Sequence, residues 1–348
     1  MTTVILRTAI VAYNLGGPDG PAAVRPFLFN LFNDPLIIRA PEPVRWCLAK
    51  FISWRRAPVA QEIYGKIGGG SPILKLTRDQ ASALEAALRG GGDTRVFVAM
   101  RYWHPFAEET AAEVKAFAPD RIVLLPLYPQ FSTTTTESFL RVWEKAAGDA
   151  GLTAPTTTLC CYPAEDGFIS AVAALARAAI DEASKAGPVR VLFSAHGLPG
   201  KVVAAGDPYV SQVKRTVESV AKRLAMNGLD YVTCFQSRVG PLEWVRPYTD
   251  DEVKRAGADG RAIVMVPVAF VSEHSETLVE LDMEYRHLAM ESGAAAYVRA
   301  PAVGTDPAFV AGLAALVQRA LGHGPGLISA DGGRCCGAEW SACPFGKG

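Results

Sequence analysis

Short β-branched runs alternate along this chain with longer helical stretches, and the segments that close the runs recur in the same order. That alternation is the pattern of parallel strands joined through helices, which cover the sheet on both faces. Strands are expected at 9–14, 95–100, 122–127, 189–194, 231–235, 262–269 and 295–298, with helices at 77–88, 168–186, 208–226 and 308–321. Tyr13-Asn14-Leu15-Gly16-Gly17-Pro18 is echoed by Ser194-Ala195-His196-Gly197-Leu198-Pro199. Met100-Arg101-Tyr102-Trp103-His104-Pro105 has a looser echo in Gln236-Ser237-Arg238-Val239-Gly240-Pro241, and 122–138 parallels 263–278. Any α/β chain has strand–loop–helix units that look alike, but three matches in one order favour a duplication. The expected fold is α/β in two similar halves, 1–170 and 171–330, followed by a cysteine-containing tail over 331–348.

Composition narrows the function classes. The 35 basic and 35 acidic residues balance, so the electrostatic footprint of a nucleic-acid binder is missing. No run of about 18 apolar residues offers a membrane span, and 1–7 lacks the build of a secretory signal. A cytoplasmic location with reduced thiols is the expectation, so the 7 cysteines need a role other than a disulfide framework.

In open α/β sheets ligands bind beyond the carboxyl ends of the strands. Asn14, Arg101, Tyr102, Tyr128, His196, Gln236, Arg238 and His274 are expected to face that crevice. An imidazole at a strand mouth, as at His196, can titrate near neutral pH and accept a proton. A lone histidine is more often a hydrogen-bonded structural residue. Ser272 is expected to cap a helix on which Glu273, Glu276, Glu280 and Glu284 form one stripe, with Leu278, Leu281 and Tyr285 on another face. A solvated acidic face would look the same, but the stripe starts at the crevice end of a very apolar strand, where carboxylates suit divalent cations and proton relay. Arg101, Tyr102 and Ser71 supply donors for an anionic ligand, and the glycines at 68–70 let backbone approach it closely. Neither a phosphate loop nor a dinucleotide-binding glycine fingerprint is present.

Segment 36–58 mixes Leu36, Ile37, Ile38, Trp46, Leu48, Phe51, Ile52 and Trp54 with Arg39, Arg45, Lys50, Arg55 and Arg56. Such a mixture suits an anionic membrane surface; a core helix with a basic outer side fits the same pattern.

Together the motifs NLGGPD (14–19), IGGGSP (67–72), RYWHP (101–105), LPLYPQFSTTTTES (125–138), SAHGLP (194–199), GDPY (206–209), QSRVGPLEW (236–244) and AFVSEHSETLVELDMEY (269–285) resemble the ferrochelatase family. The resemblance implies two Rossmann-like, chelatase-like halves with a cleft between them. It implies an enzyme that inserts Fe2+ into protoporphyrin IX, giving protohaem and two protons in the last step of haem synthesis. By position, His196 matches the family's histidine for pyrrole deprotonation or metal binding, and Glu276 its acidic partner across the cleft, so the two are expected on opposite faces of one ring-sized slot. Glu280 and Glu284 match carboxylates on a metal or proton route. Leu15, Arg101, Tyr102, Trp244, Phe270 and His274 match residues around the macrocycle, and Ser71 a propionate contact; Tyr128, from its place past a strand end, is expected to bind substrate beside them. Position 15 is Met in some relatives. Segment 36–58 matches the apolar lip that receives porphyrin from the membrane, which implies peripheral membrane contact; a homodimer is also allowed.

Cys47 and Cys234 are isolated and expected to be buried as small apolar residues. Cys335, Cys336 and Cys343 cluster near the C-terminus, and Cys160-Cys161 lie mid-chain. Four thiolates can hold zinc or a [2Fe–2S] cluster. Some ferrochelatases resemble this arrangement, which implies a [2Fe–2S] cluster on Cys335, Cys336, Cys343 and Cys161 (or Cys160). The adjacent pair Cys335-Cys336 departs from the spacing of several relatives. A chelatase for coproporphyrin or another tetrapyrrole is the competing enzyme reading. The non-enzymatic one, a porphyrin or haem carrier, would have no need of both His196 and the acidic stripe.

Overall fold

A computed structural model describes residues 6–90, 92–240 and 242–346. Residues 1–5, most of the segment read for a secretory signal, lie outside them, as do Pro241 of the QSRVGPLEW motif and the last two residues of the tail. In chain order the elements are β1 (Arg7–Asn14), α1 (Val24–Phe32), α2 (Glu42–Gly65), α3 (Ile73–Ala87), β2 (Asp93–Met100), α4 (Ala107–Phe117), β3 (Arg121–Pro126), α5 (Ser138–Asp149), β4 (Thr156–Leu159) and α6 (Asp166–Ala183). They continue with β5 (Val189–His196), α7 (Gly200–Ala204), α8 (Tyr209–Leu224), β6 (Tyr231–Gln236), α9 (Thr249–Ala258), β7 (Ala262–Pro267), a π-helix (Glu276–Glu284), α10 (Tyr285–Glu291), β8 (Ala296–Arg299), α11 (Pro307–His323) and β9 (Gly326–Ile328).

The chain forms two compact units. The first runs to Cys161 and resumes over Leu313–Arg334, and the second comprises Tyr162–Gly312 with the tail from Cys335. This differs from a single division at 170. The reason is β9, which pairs with β4 and so carries 326–328 into the first sheet. The first sheet has the order β2-β1-β3-β4-β9 and the second β6-β5-β7-β8, with every pairing parallel. The first four positions of one order map onto the other strand for strand. A short π-helix, Thr133–Glu137, also follows β3 as the longer one follows β7. The repeated sequence segments therefore occupy repeated places.

Strands covered on both faces need apolar side chains on both. Accordingly β1 is buried from Thr8 to Asn14, and β7 (AIVMVP) throughout. The first unit packs Val11, Tyr13, Phe97 and Leu124 against Phe139 and Trp143 of α5, with the Tyr13 and Phe139 rings stacked at 4.0 Å. The second packs Leu192, Cys234 and Met265 against Leu281, Tyr285 and Tyr297. Burying a side chain such as Leu281 contributes about 1.5–3 kcal/mol, which fixes the π-helix to its sheet. Cys234 is buried there as expected, whereas Cys47 is exposed on α2, because its side chain points away from the face that α2 buries.

That face consists of the small residues Ala49, Ser53 and Ala57 at four-residue steps, with Tyr64 two turns further on. On a 100° helical wheel Val44, Leu48, Phe51 and Val59 lie opposite, and all are exposed, as are Trp46 and Trp54. Apart from Tyr64, the helix thus leaves most of its larger apolar side chains exposed. Lys50 lies over the Phe29 and Trp46 rings, 4.6 and 5.1 Å from their centroids. Among the described residues no helix is long and apolar enough to cross a membrane.

Candidate functional site

His196 is the last residue of β5, where the strand opens into Gly197-Leu198-Pro199. Its Nδ1 lies 2.6 Å from the Gly197 carbonyl oxygen. A carbonyl only accepts, so Nδ1 is the donor there, and Nε2 is the ring atom that can exchange a proton. That Nε2 lies 3.7 Å from Glu276 Oε1, so the two side chains meet directly and do not face each other across a ring-sized slot as expected, because no flat ring fits between atoms in near contact. Both side chains are about one-third open, 36% and 30% exposed, so they can meet a ligand. The second carboxylate oxygen, Glu276 Oε2, is buried without a hydrogen-bond partner. The Trp244 ring lies 6.2 Å from the imidazole, and Phe270 packs edge-on to His274 at 4.3 Å.

The acidic segment is not an α-helix capped by Ser272. It is a π-helix beginning at Glu276, and its widened turn shows in the Tyr285 N–H donating to Glu280 O, five residues back. Extra-residue turns of this kind often mark functional positions. Here the wide turn satisfies two demands together. Leu281 stays in the core, while Glu280 reaches the end of β6, where its carboxylate accepts from Ser237 N (2.9 Å), from the Ser237 hydroxyl and from Tyr285 OH (2.9 Å). Ser237 adopts φ +64, a left-handed conformation that costs a non-glycine residue energy and is kept by the Glu280 contacts. Burial and the neighbouring Glu276 raise the pKa of Glu280, and the Ser237 and Tyr285 hydrogen bonds oppose that rise.

Glu273 leaves the expected stripe. It precedes the π-helix, and its Oε1 accepts from Arg299 Nη1 and Ala302 N, both at 2.9 Å. Glu284 ends the π-helix and is exposed. His274 is buried, its Nδ1 accepting the Thr277 N–H at 3.2 Å, and burial lowers its pKa. Gln236 is also buried rather than facing a crevice, with its Oε1 accepting from Ser194 Oγ at 2.7 Å. Arg238 pairs with Asp250 at 2.8 Å and lies over the Tyr248 ring.

In the first unit the strand-end residues turn largely inward. Asp34 Oδ2 accepts from Arg101 Nη2 (2.8 Å), Tyr102 OH (2.7 Å) and Ser138 Oγ, and Arg101 Nε donates to Ser138 Oγ at 2.7 Å. Tyr102 is fully buried and Asn14 nearly so, its Nδ2 donating to Thr77 Oγ1 at 3.1 Å. Leu15 packs on the cluster of Val24, Phe27, Leu28, Tyr64 and Tyr102. The Tyr128 hydroxyl is buried without a hydrogen-bond partner, and burial holds its pKa well above the ordinary value. The glycine loops also have a structural task. Ser71 N donates to Pro18 O at 2.7 Å, and a Cβ at Gly17 would come within 2.6 Å of the Ser71 Cβ. Glycine at 17 lets the two loops cross.

Sequence reading did not single out Ser237 or Asp34. The only signal was their place in the strand-end segment 236–241 and beside the apolar lip.

The cysteines fall into two groups. Cys160 and Cys161 follow β4, buried, with sulfurs 3.3 Å apart. In the second unit Cys335 and Cys336 have sulfurs 3.9 Å apart, and Cys336 also hydrogen-bonds with Cys343. Among the described residues no three His, Cys, Asp or Glu side chains gather as a site for a single metal ion.

Comparison with known proteins places the chain in a family. The Ferrochelatase family profile matches residues 7–321. A ferrochelatase of Caulobacter vibrioides is 53% identical over 345 residues, covering 98% of each chain. One from Hyphomonas neptunium is 50% identical, covering 97% of this chain and 94% of its own. Among solved structures, SirB from Bacillus subtilis with Fe3+ matches with a TM-score of 0.53 at 14% identity, covering 90% of this chain and 96% of SirB. The sirohydrochlorin chelatase SirB from Bacillus subtilis subspecies spizizenii, in complex with cobalt, gives 0.51 at 12%, covering 90% and 95%. At such identities the likeness concerns the fold.

Proposed function

Because the chain belongs to the ferrochelatase family, we propose that His196 and Glu276 are the catalytic pair for porphyrin metallation. The reaction inserts Fe2+ into protoporphyrin IX and yields protohaem and two protons. Supporting the pair is one observation above the others: His196 Nε2, the ring nitrogen not engaged by the Gly197 carbonyl, lies 3.7 Å from Glu276 Oε1. Nε2 takes a pyrrole N–H proton, and the Glu276 carboxylate stabilises the imidazolium so formed. Glu280, its pKa raised beside Glu276, exchanges that proton onward, and Glu284 carries the acidic line to the exposed end of the π-helix. The same carboxylates suit the incoming ferrous substrate.

Leu15, Ser71, Arg101, Tyr102, Tyr128, Trp244, Phe270 and His274 are proposed as the macrocycle's surroundings. Trp244 and Phe270 offer apolar faces for the ring; Arg101 and Tyr102 act by holding Asp34 rather than as free donors. Gripping a flat ring so that its nitrogen lone pairs turn toward metal draws on binding energy from the rest of the porphyrin. The outward apolar face of α2, rimmed by Arg39, Lys50, Arg55 and Arg56, is proposed to lie on a membrane surface.

We also propose a [2Fe–2S] cluster on Cys335, Cys336 and Cys343, with the fourth ligand expected at Cys161 or Cys160. Such a cluster needs only two thiolates per iron. Two ligands about 2.3 Å from a tetrahedral metal stand about 3.8 Å apart, which the 3.9 Å between Cys335 and Cys336 fits. When bound, the cluster would supply one-electron redox chemistry. Purified protein without visible absorbance or acid-labile sulfide would end this reading.

The test of function is anaerobic incubation with ferrous iron and protoporphyrin IX, followed by the haem spectrum, with coproporphyrin in parallel. His196→Ala is expected to lower the rate at saturating substrates by about 10²–10⁴-fold, the usual worth of a general base. Near wild-type metallation by that variant would remove His196 from the role.

A further inference from the structure

We infer that Gln212 is a positioning residue for the cysteine loop, its side-chain amide donating an N–H to the Cys336 sulfur; the inference rests on the cluster proposed above. Gln212 Nε2 lies 3.0 Å from Cys336 Sγ and 3.9 Å from Cys335 Sγ. The residue is only 4% exposed, so the donor acts where water competes little. A buried thiolate without donors is costly. A neutral amide supplies one while adding no charge.

Other contacts hold the amide and the loop to one another. Gln212 sits in the first turn of α8, and Asp207 Oδ1 accepts the Tyr209 N–H at 3.0 Å where that turn begins. The cysteine segment is seated on the approach to the same turn. Ala342 N donates to Gly206 O at 3.1 Å, and a Cβ at Gly206 would come within 2.3 Å of Ser341 Oγ. Gly206 has φ +90, which favours glycine, so the GDPY segment is shaped to admit the segment that carries Cys343. Loop and donor are thus fixed on one short stretch of backbone, independently of any metal.

Hydrogen bonds to cluster sulfurs tune the reduction potential. A donor favours the reduced form, which carries one more negative charge. In a redox titration of the anaerobically purified holoprotein, followed by visible absorbance, Gln212→Leu is expected to shift the cluster to lower potential. Gln212→Glu, which puts a carboxylate in place of the donor, is expected to shift it further. Potentials equal to wild type in both variants would overturn the inference and leave the cluster reading intact. A wild-type protein containing neither iron nor sulfide would overturn both. Should the variants fail to fold, the wild type decides. Pulsed electron paramagnetic resonance of the reduced cluster, in protein labelled with 15N at glutamine side-chain amides, is expected to show a nitrogen coupling, and its absence would overturn the inference.

Discussion

His274 and Glu280 titrate with opposite consequences for stability. Burial lowers the pKa of His274, so as pH falls below the unfolded value of about 6.5 the unfolded chain takes up a proton that the folded chain resists. Its contribution is complete above that pH and is lost as acid is added. His274→Asn keeps an acceptor for the Thr277 N–H without a titrating group, and should flatten the fall of the thermal midpoint as pH drops below about 6.5. Glu280 runs the other way. Its pKa is raised by burial, so the stabilisation is present in acid and lost as pH climbs through the raised value. Glu280→Gln should therefore unfold at neutral pH no lower than wild type, while its metallation rate falls. Asp34 is a buried carboxylate facing Arg101, and removing one partner of such a pair leaves the other charge uncompensated. Asp34→Ala should lose on the order of 3 kcal/mol in urea unfolding. His196 could be picked out from sequence because a strand end and the following glycine are local features. Asp34 could not, since its partner Arg101 is 67 residues away.

At the scale of elements, the residue types on α2 were readable but their direction was not. The pattern fitted a buried core helix and a surface helix equally; packing decided it by burying Ala49, Ser53 and Ala57 and leaving Phe51 56% and Trp54 59% exposed. Replacing both exposed rings, as Phe51→Ser with Trp54→Ser, should weaken flotation with anionic vesicles by at least about tenfold, since burying such a ring is worth about 1.5–3 kcal/mol. The thermal midpoint should hardly change. High salt should weaken wild-type binding through its cations. The π-helix escaped notice for a related reason. A five-residue hydrogen bond leaves no mark in the residue types, and apolar spacing suits an α-helix as well. β4 and β9, with four and three residues, are too short to establish a period.

Across the whole molecule, the chain returns to its first unit after completing most of its second. Truncation after Arg334 removes Cys335, Cys336 and Cys343 but no strand, and should abolish a cluster's visible spectrum while both sheets stay protected from protease. Truncation after His323 also strips β9 from β4 and should open the first unit to cleavage. Sequence by itself determined the parallel α/β class, the repeated order of strand-end segments, and the family to which His196 and the glutamates belong. The first two follow from period and local spacing, which a chain carries before it folds, and the family from the resemblance of motifs standing in one order along it. Tertiary structure decided that Glu273 serves Arg299 while Glu280 serves Ser237, that Tyr102 turns inward to Asp34, and that 326–328 joins the first sheet. Each of those is a contact between residues far apart in the chain, fixed by which buried polar group must find a partner once water is gone.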